Sequence, residues 1–250
     1  MNDHPRNHRR ATGLGARLAL LSSLVLAGCG GGGGTSLPPA GTTFPLQSAM
    51  AALLTAGAAR TASVSGTALY QGVSVPIGGS VTLSILPLSQ ATTPFNAQPA
   101  LFATLGVTGT VSVASQTLSI ASSQQSYFNT ALQPLGYASS QAYCVARTPG
   151  IYPATVQLGD SGGIVDYDCY SDSTMAVPIG SETLSFQVGP GTSSSTVTVS
   201  LIDTATTSGG QTSSSETDNY LLGTDGTFSL SSASLSMTDS GVLLNMQLTI

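Results

Sequence analysis

The chain has 250 residues and a net charge of −5, with only 7% charged residues against 41% hydrophobic ones. It contains no lysine, and its six basic residues are all arginine. That balance argues against nucleic acid, whose affinity comes from many Lys/Arg–phosphate contacts, and against electrostatic docking on anionic lipid headgroups.

The first predicted element, in chain order, is an export signal. Arg6, Arg9, Arg10 and Arg17 form a basic lead, and an apolar run from Leu18 to Leu26 follows, broken only by Ser22 and Ser23. The run is too short to cross a bilayer as a helix and has the size of a cleaved apolar region. Leu26-Ala27-Gly28-Cys29 comes next and resembles the lipobox of bacterial lipoproteins. The resemblance is confined to residues 1–29. It implies cleavage before Cys29, diacylglycerol on its sulfur and acylation of the new amino group. The expected partner is therefore a membrane, reached through the lipid anchor, and two or more acyl chains make such anchoring stable. In that family an aspartate after the cysteine usually marks inner-membrane retention. Gly30 holds that position here, which implies the outer membrane, on its periplasmic face or at the cell surface.

A tether follows. Gly30 to Gly34 are five consecutive glycines and Pro38-Pro39 is a stiffer stretch. A coil of this length reaches on the order of 20 Å. The glycine run is not a phosphate loop, because it opens no helix and carries no Lys-Ser/Thr partner. The expected organisation is a signal peptide over 1–28, a lipidated tether over 29–44 and one β-rich domain over 45–250.

Cleavage would change the chemistry of the chain. His4 and His8 both leave, and the mature chain keeps only Arg60 and Arg147 against ten acidic residues, a balance of −8. Loss of histidine removes the commonest general base, the commonest metal ligand and the usual partner of a nucleophilic Ser or Cys. Loss of lysine removes Schiff-base chemistry. A non-enzymatic domain with no cofactor is the expectation.

Within the domain, Leu46, Met50, Leu53 and Leu54 recur at helical spacing, with Pro45 suited to a first turn and Gly57 to a stop. After Arg60 the pattern changes to period two. Val73, Val75 and Ile77 alternate with small or polar residues, as do Val81, Leu83 and Ile85; Leu105, Val107, Val111 and Val113; Leu118 and Ile120; Leu184, Phe186 and Val188; Val197, Val199 and Leu201; and Val242 through Ile250. The intervening positions are Ser and Thr rather than charged residues. Turn signals recur at Gly78-Gly79, Gly162-Gly163, Gly189-Pro190-Gly191, Gly209-Gly210 and Asp225-Gly226. The predicted fold is all-β and mostly antiparallel, with about ten or eleven strands in a curved sheet, a barrel or a sandwich, plus one short N-terminal helix. Val75-Pro76-Ile77-Gly78 recurs as Val177-Pro178-Ile179-Gly180. That echo suggests a duplication with halves near 61–158 and 163–250.

Cys144 and Cys169 remain as a pair, which reads as one disulfide in an oxidising compartment. Gly159-Asp160-Ser161-Gly162-Gly163 resembles the nucleophile segment of chymotrypsin-family serine proteases, but the mature chain has no histidine to activate Ser161. A Gly-rich turn is the expected role. Asp166 and Asp168 point the same way on a strand and are weak candidates for a Ca²⁺ site, although the spacing fits no EF-hand loop. The alternative is a solvated strand face with Arg147 relieving the repulsion. Tyr143, Tyr167 and Tyr170 are weak candidates for a ligand-binding, sugar-type face. The leading expectation is an outer-membrane-anchored lipoprotein with a structural or binding role in the cell envelope. The alternatives are a carrier or receptor for a hydrophobic ligand, resembling periplasmic lipoprotein half-barrels in architecture only, and a carbohydrate-binding module. A carrier needs a concave lumen, whereas a structural protein fills that space with its own side chains.

Overall fold

The computed structural model describes residues 36–114, 116–239 and 241–250. The expected export signal, Cys29 and the glycine run lie outside the described residues. Helix α1 (Leu46–Ala56) buries Leu46, Ala49, Met50 and Leu54, the apolar stripe expected from the helical spacing. Pro45 stands at the N-cap, just ahead of the first turn, where it keeps no helical N–H from its partner. Gly57 ends the helix with φ at 70°, and its N–H donates to the Leu53 carbonyl at 2.8 Å.

Thirteen strands follow: β1 (Ala58–Tyr70), β2 (Val73–Ile85), β3 (Thr93–Phe95), β4 (Gln98–Val113), β5 (Gln116–Phe128), β6 (Pro134–Ser139), β7 (Tyr143–Ala146), β8 (Ser161–Tyr170), β9 (Pro178–Pro190), β10 (Thr196–Thr207), β11 (Thr212–Gly223), β12 (Phe228–Asp239) and β13 (Val242–Thr249). The expected count of ten or eleven falls short because β3, β6 and β7 span only three, six and four residues. Runs that short display too little of a two-residue period.

Neighbours in sequence pair antiparallel around almost the whole sheet, β1 pairs with β13, and β2 pairs with β4. Twelve strands thereby close into an antiparallel barrel. β3 pairs only with the start of β4, outside the ring. Closure leaves none of the twelve as a free edge, which is how an all-β chain of this size avoids edge-to-edge association.

The barrel wall sorts its residues by the strand period. Val64, Val81, Val107, Val111, Leu235, Met246 and Leu248 meet inside one half. Phe186, Val188, Val197, Val199, Leu201, Tyr220 and Leu222 meet inside the other. The alternate positions on the outside are hydroxylic. Ser63, Ser65 and Thr67 on β1 lie beside Ser80, Thr82 and their neighbours on β2, and Thr61 and Thr82 are hydrogen-bonded across the strands. Ser181 and Thr206 are joined in the same way between β9 and β10.

α1 closes one end of this lumen. Leu46, Ala49 and Met50 pack with the inward residues of the second half, and Leu54 packs with Ala103 and Phe128. The loops at that end hold the helix in place: Leu88 N–H donates to the Leu54 carbonyl at 2.8 Å and Gln47 N–H to the Pro153 carbonyl at 3.1 Å. The helix therefore lies across a barrel mouth and does not lie against an outer face.

Candidate functional site

Four acidic side chains project into the lumen below α1. Glu182 on β9, Asp203 on β10, and Glu216 and Asp218 on β11 all occupy inward positions. Glu182 shares its strand face with Leu184 and Phe186, Asp203 with Leu201, and Asp218 with Tyr220 and Leu222. Asp203 lies directly across from Glu216, and Asp218 across from Leu201. Glu182, Asp203 and Glu216 are buried, at 5%, 8% and 5% exposure, and Asp218 is half-buried.

Tyrosines surround the carboxyls. Tyr167 on β8 lies across from Glu182. Tyr137 on β6 donates its hydroxyl to Glu182 Oε2 at 2.6 Å and meets the Tyr167 ring edge-on, with centroids 5.9 Å apart. Tyr220 stacks on Phe228 at 4.5 Å. Tyr152 enters from the β7–β8 connection and is buried in the same cluster.

Burial sets the protonation of this group. Desolvation disfavours the charged carboxylate and lifts the pKa of all four acids, Asp218 to about 7. Glu182 and Asp203 influence one another: burial raises both, and contact with Asp203 and the Tyr137 hydroxyl holds Glu182 back from the full rise. The negative neighbours raise Asp203 further, Glu182 foremost. Glu216 is lifted mainly by burial and then by Asp218, Asp203 and Glu182. Its Oε2 has no hydrogen-bond partner among the described residues. Tyr137, Tyr167 and Tyr220 are pushed well above the ordinary phenol value, first by burial and then by the nearby acids, and burial alone pushes Tyr152 up.

The lumen is only partly filled by its own side chains. A cavity of about 100 Å³ is walled by Leu53, Ile85, Leu105, Phe228, Glu216 and Asp218. A second, of about 130 Å³, shares Leu53, Glu216, Asp218 and Tyr220 with it and extends to Glu182, Asp203 and Tyr167. A third, of about 140 Å³, adjoins through Tyr137 and Glu182 and reaches Met237. Arg60 on β1 also lines the first cavity, while its Nη1 donates to the Ala59 carbonyl.

Of the residues singled out from the sequence, Tyr167 and the two cysteines reach the lumen and the others fall elsewhere. Cys144 and Cys169 face each other in register on β7 and β8 and form a disulfide, as expected. Asp166 and Asp168 lie on the outer wall, where Arg147 donates to Asp168 Oδ1 from Nε at 3.1 Å and from Nη2 at 2.8 Å. That is the solvated face with a neutralising arginine, and it leaves no converging oxygens for Ca²⁺. Tyr143, Tyr167 and Tyr170 do not share a face. Tyr143 and Tyr170 pair across β7 and β8 on the outside, where Tyr143 packs on Phe95, whereas Tyr167 points inward. Only Tyr167 belongs to the lumen site. Ser161 is an exposed residue at the start of β8, and Asp160 Oδ2 accepts from Gln157 N–H at 2.7 Å to shape the preceding turn. Among the described residues, one trio of metal-type side chains brings its ligand atoms within 4.8 Å of one another: Cys144, Cys169 and Glu182. Both sulfurs of that trio are consumed in the disulfide.

Sequence reasoning missed Glu182, Asp203, Glu216 and Asp218. Their phase was the available signal, because each lies an even number of residues from an inward apolar position on its own strand. Comparison with protein-family models, with curated proteins and with solved structures finds no match for this chain.

Proposed function

We propose that this chain is a lipid-anchored protein of the bacterial outer membrane whose barrel binds a small ligand in its lumen without turning it over. The adjoining cavities beneath α1, walled by aliphatic and aromatic side chains with a few buried polar groups, carry this reading. Concave, mostly apolar sites with a small number of placed polar groups are the usual form of a ligand pocket. The Ser/Thr outer wall supports a barrel that stands in water on its tether, since membrane-spanning barrels face lipid with an apolar band. Absence of histidine and lysine after residue 28 supports binding over turnover.

The test is thermal unfolding with small aliphatic alcohols such as 1-pentanol. Wild type is expected to gain several degrees in Tm. Leu53→Trp, which fills space lined by Leu53 in both cavities, is expected to remain folded and to lose the response. An equal response in Leu53→Trp would place the binding outside the lumen and overturn the reading. Radiolabelled palmitate should enter the wild-type chain and not Cys29→Ala; label in that variant would remove the lipid anchor.

One observation favours a second reading. Two neighbouring buried carboxyls whose pKa values are both raised, as those of Glu182 and Asp203 are, are also the equipment of acid–base catalysis. Mass spectrometry of a bound ligand after long incubation separates the two, since binding predicts its mass unchanged.

A further inference from the structure

We infer that the lumen beneath α1 takes a small organic ammonium ion, its charged head at Glu216 and its hydrocarbon against Leu53, Ile85, Leu105 and Phe228. This rests on the reading that the lumen is a ligand site. Glu216 is 5% exposed, lines both of the first two cavities, and presents Oε2 with no hydrogen-bond partner among the described residues. A buried carboxyl oxygen left without a donor is costly, so such groups are normally satisfied by protein, water or ligand. An ammonium N–H supplies the donor, and its positive charge favours release of the proton that burial otherwise keeps on Glu216, so binding of the cation forms the charge pair and expels that proton to solvent.

The surroundings narrow the class. The neighbouring wall is aliphatic and aromatic, and the stacked Tyr220–Phe228 rings border the same cavity. Aromatic faces attract cations, and attraction strengthens where water is excluded. A cavity of about 100 Å³ opening onto one of about 130 Å³ suits a ligand of several heavy atoms, comparable with the roughly 150 Å³ that accommodates benzene in an engineered core. A bare metal ion fits less well. Glu182, Asp203, Glu216 and Asp218 bring no three carboxyl oxygens within 4.8 Å of each other, whereas Ca²⁺ gathers six to eight oxygens around one point. An uncharged ligand of the same shape would forgo the charge-assisted bond. Arg60 is the one internal competitor, since it is the only basic residue lining the first cavity, and the single ion pair among the described residues is Arg147–Asp168.

The experiment is calorimetric titration of the folded barrel at neutral pH with n-pentylammonium chloride, 1-pentanol and calcium chloride, in wild type and Glu216→Gln. Gln keeps the size of Glu216, and circular dichroism checks the fold. The expected result is that wild type prefers the amine to the alcohol by about tenfold or more, the scale of a charge-assisted hydrogen bond, and that Glu216→Gln binds the two equally. Asp218→Asn should weaken the amine by a smaller factor, and Arg60→Gln should leave amine binding unchanged or tighter. Equal binding of amine and alcohol in wild type overturns the ammonium assignment while leaving the lumen site standing. No binding of either probe overturns both. Calcium heat that disappears in Glu216→Gln assigns the oxygen to a metal and overturns the ammonium assignment. Weaker amine binding in Arg60→Gln, or an amine preference retained in Glu216→Gln, also overturns it.

Discussion

Glu182, Asp203, Glu216 and Asp218 stand where the same strands elsewhere place Leu, Phe or Val, so the barrel buries acids at the expense of their charged forms. Unfolded, these groups titrate near their ordinary 3.8 to 4.5, whereas the barrel holds them protonated to higher pH, Asp218 to about 7. Between those values the folded chain binds more protons than the unfolded chain. The contribution of these acids to stability is therefore fullest at about pH 4 and below, and it is lost as pH rises toward 7 and beyond. The tyrosines facing the cluster stay protonated throughout that window. Urea titrations between pH 4 and 8 should show the midpoint dropping with pH, and Glu216→Gln should flatten the drop. A midpoint that rises over this range in wild type would contradict the buried-acid account. Tyr137 has a separate role, because its hydroxyl holds Glu182 at 2.6 Å. Tyr137→Phe leaves a buried acceptor with one partner fewer, and a loss of about 1–3 kcal/mol in chemical denaturation is expected.

At the scale of the strand, the two Val-Pro-Ile-Gly copies fall in comparable places. Val75–Gly78 lies at the start of β2, and Pro178–Gly180 opens β9. Each β-strand then carries a glycine pressed against its neighbour. A Cβ on Gly79 would strike the Thr110 carbonyl oxygen and one on Gly180 the Thr206 carbonyl oxygen, and the φ values, 150° and 155°, are ones that L side chains rarely adopt. Glycine there lets adjacent backbones close up where the wall bends. Gly180→Ala is expected to lower stability by about 1–3 kcal/mol from backbone strain alone. Gly189→Ala, with open space around its Cβ position and no such φ, should stay within about 0.5 kcal/mol. Comparable losses in both variants would refute the close-approach argument. The halves suggested by the sequence would divide the ring into β1, β2 and β4 through β7 on one side and β8 through β13 on the other, six barrel strands each. An up-and-down order repeats at every hairpin, and the close-approach glycine is shifted by one residue between the copies, since Gly180 ends its motif whereas Gly79 follows Gly78.

For the whole molecule, the ring is thinly paired around β7, its shortest strand, which also lies at the seam between those runs. β7 offers four residues, pairs with β8 through four of them, and the connection between the two strands is long. The Cys144–Cys169 disulfide joins β7 to β8 at that seam across a separation of 25 residues. Constraining a loop of this length is worth about 3–4 kcal/mol in the chain-entropy model. The double variant Cys144→Ser with Cys169→Ser is expected to lose about that much in denaturant unfolding, with proteolysis beginning in the β7–β8 connection. Unchanged stability would show that the helix and the remaining ladders hold the seam closed unaided.

The chemistry that repeats along the chain was legible in the residues themselves. The two-residue alternation announced strands with one apolar face, the spacing of Leu46, Met50 and Leu54 announced the helix, and Gly57 its end. Two cysteines left as a pair announced their bond. These depend on local geometry, where a side chain's direction follows from its position in a helix or strand. What the local pattern could not supply was the partner of each face. Alternation is the same in a sandwich and in a closed ring, and only the β2–β4 ladder decides for the ring. The acids escaped notice for the same reason. Ser-Ser-Ser-Glu-Thr-Asp-Asn in β11 reads as a polar stretch, and its inward face became visible only when register set Glu216 against Asp203 and Asp218 against Leu201. Burial belongs to the assembled barrel: twelve strands must close before any one of these carboxyls is removed from water.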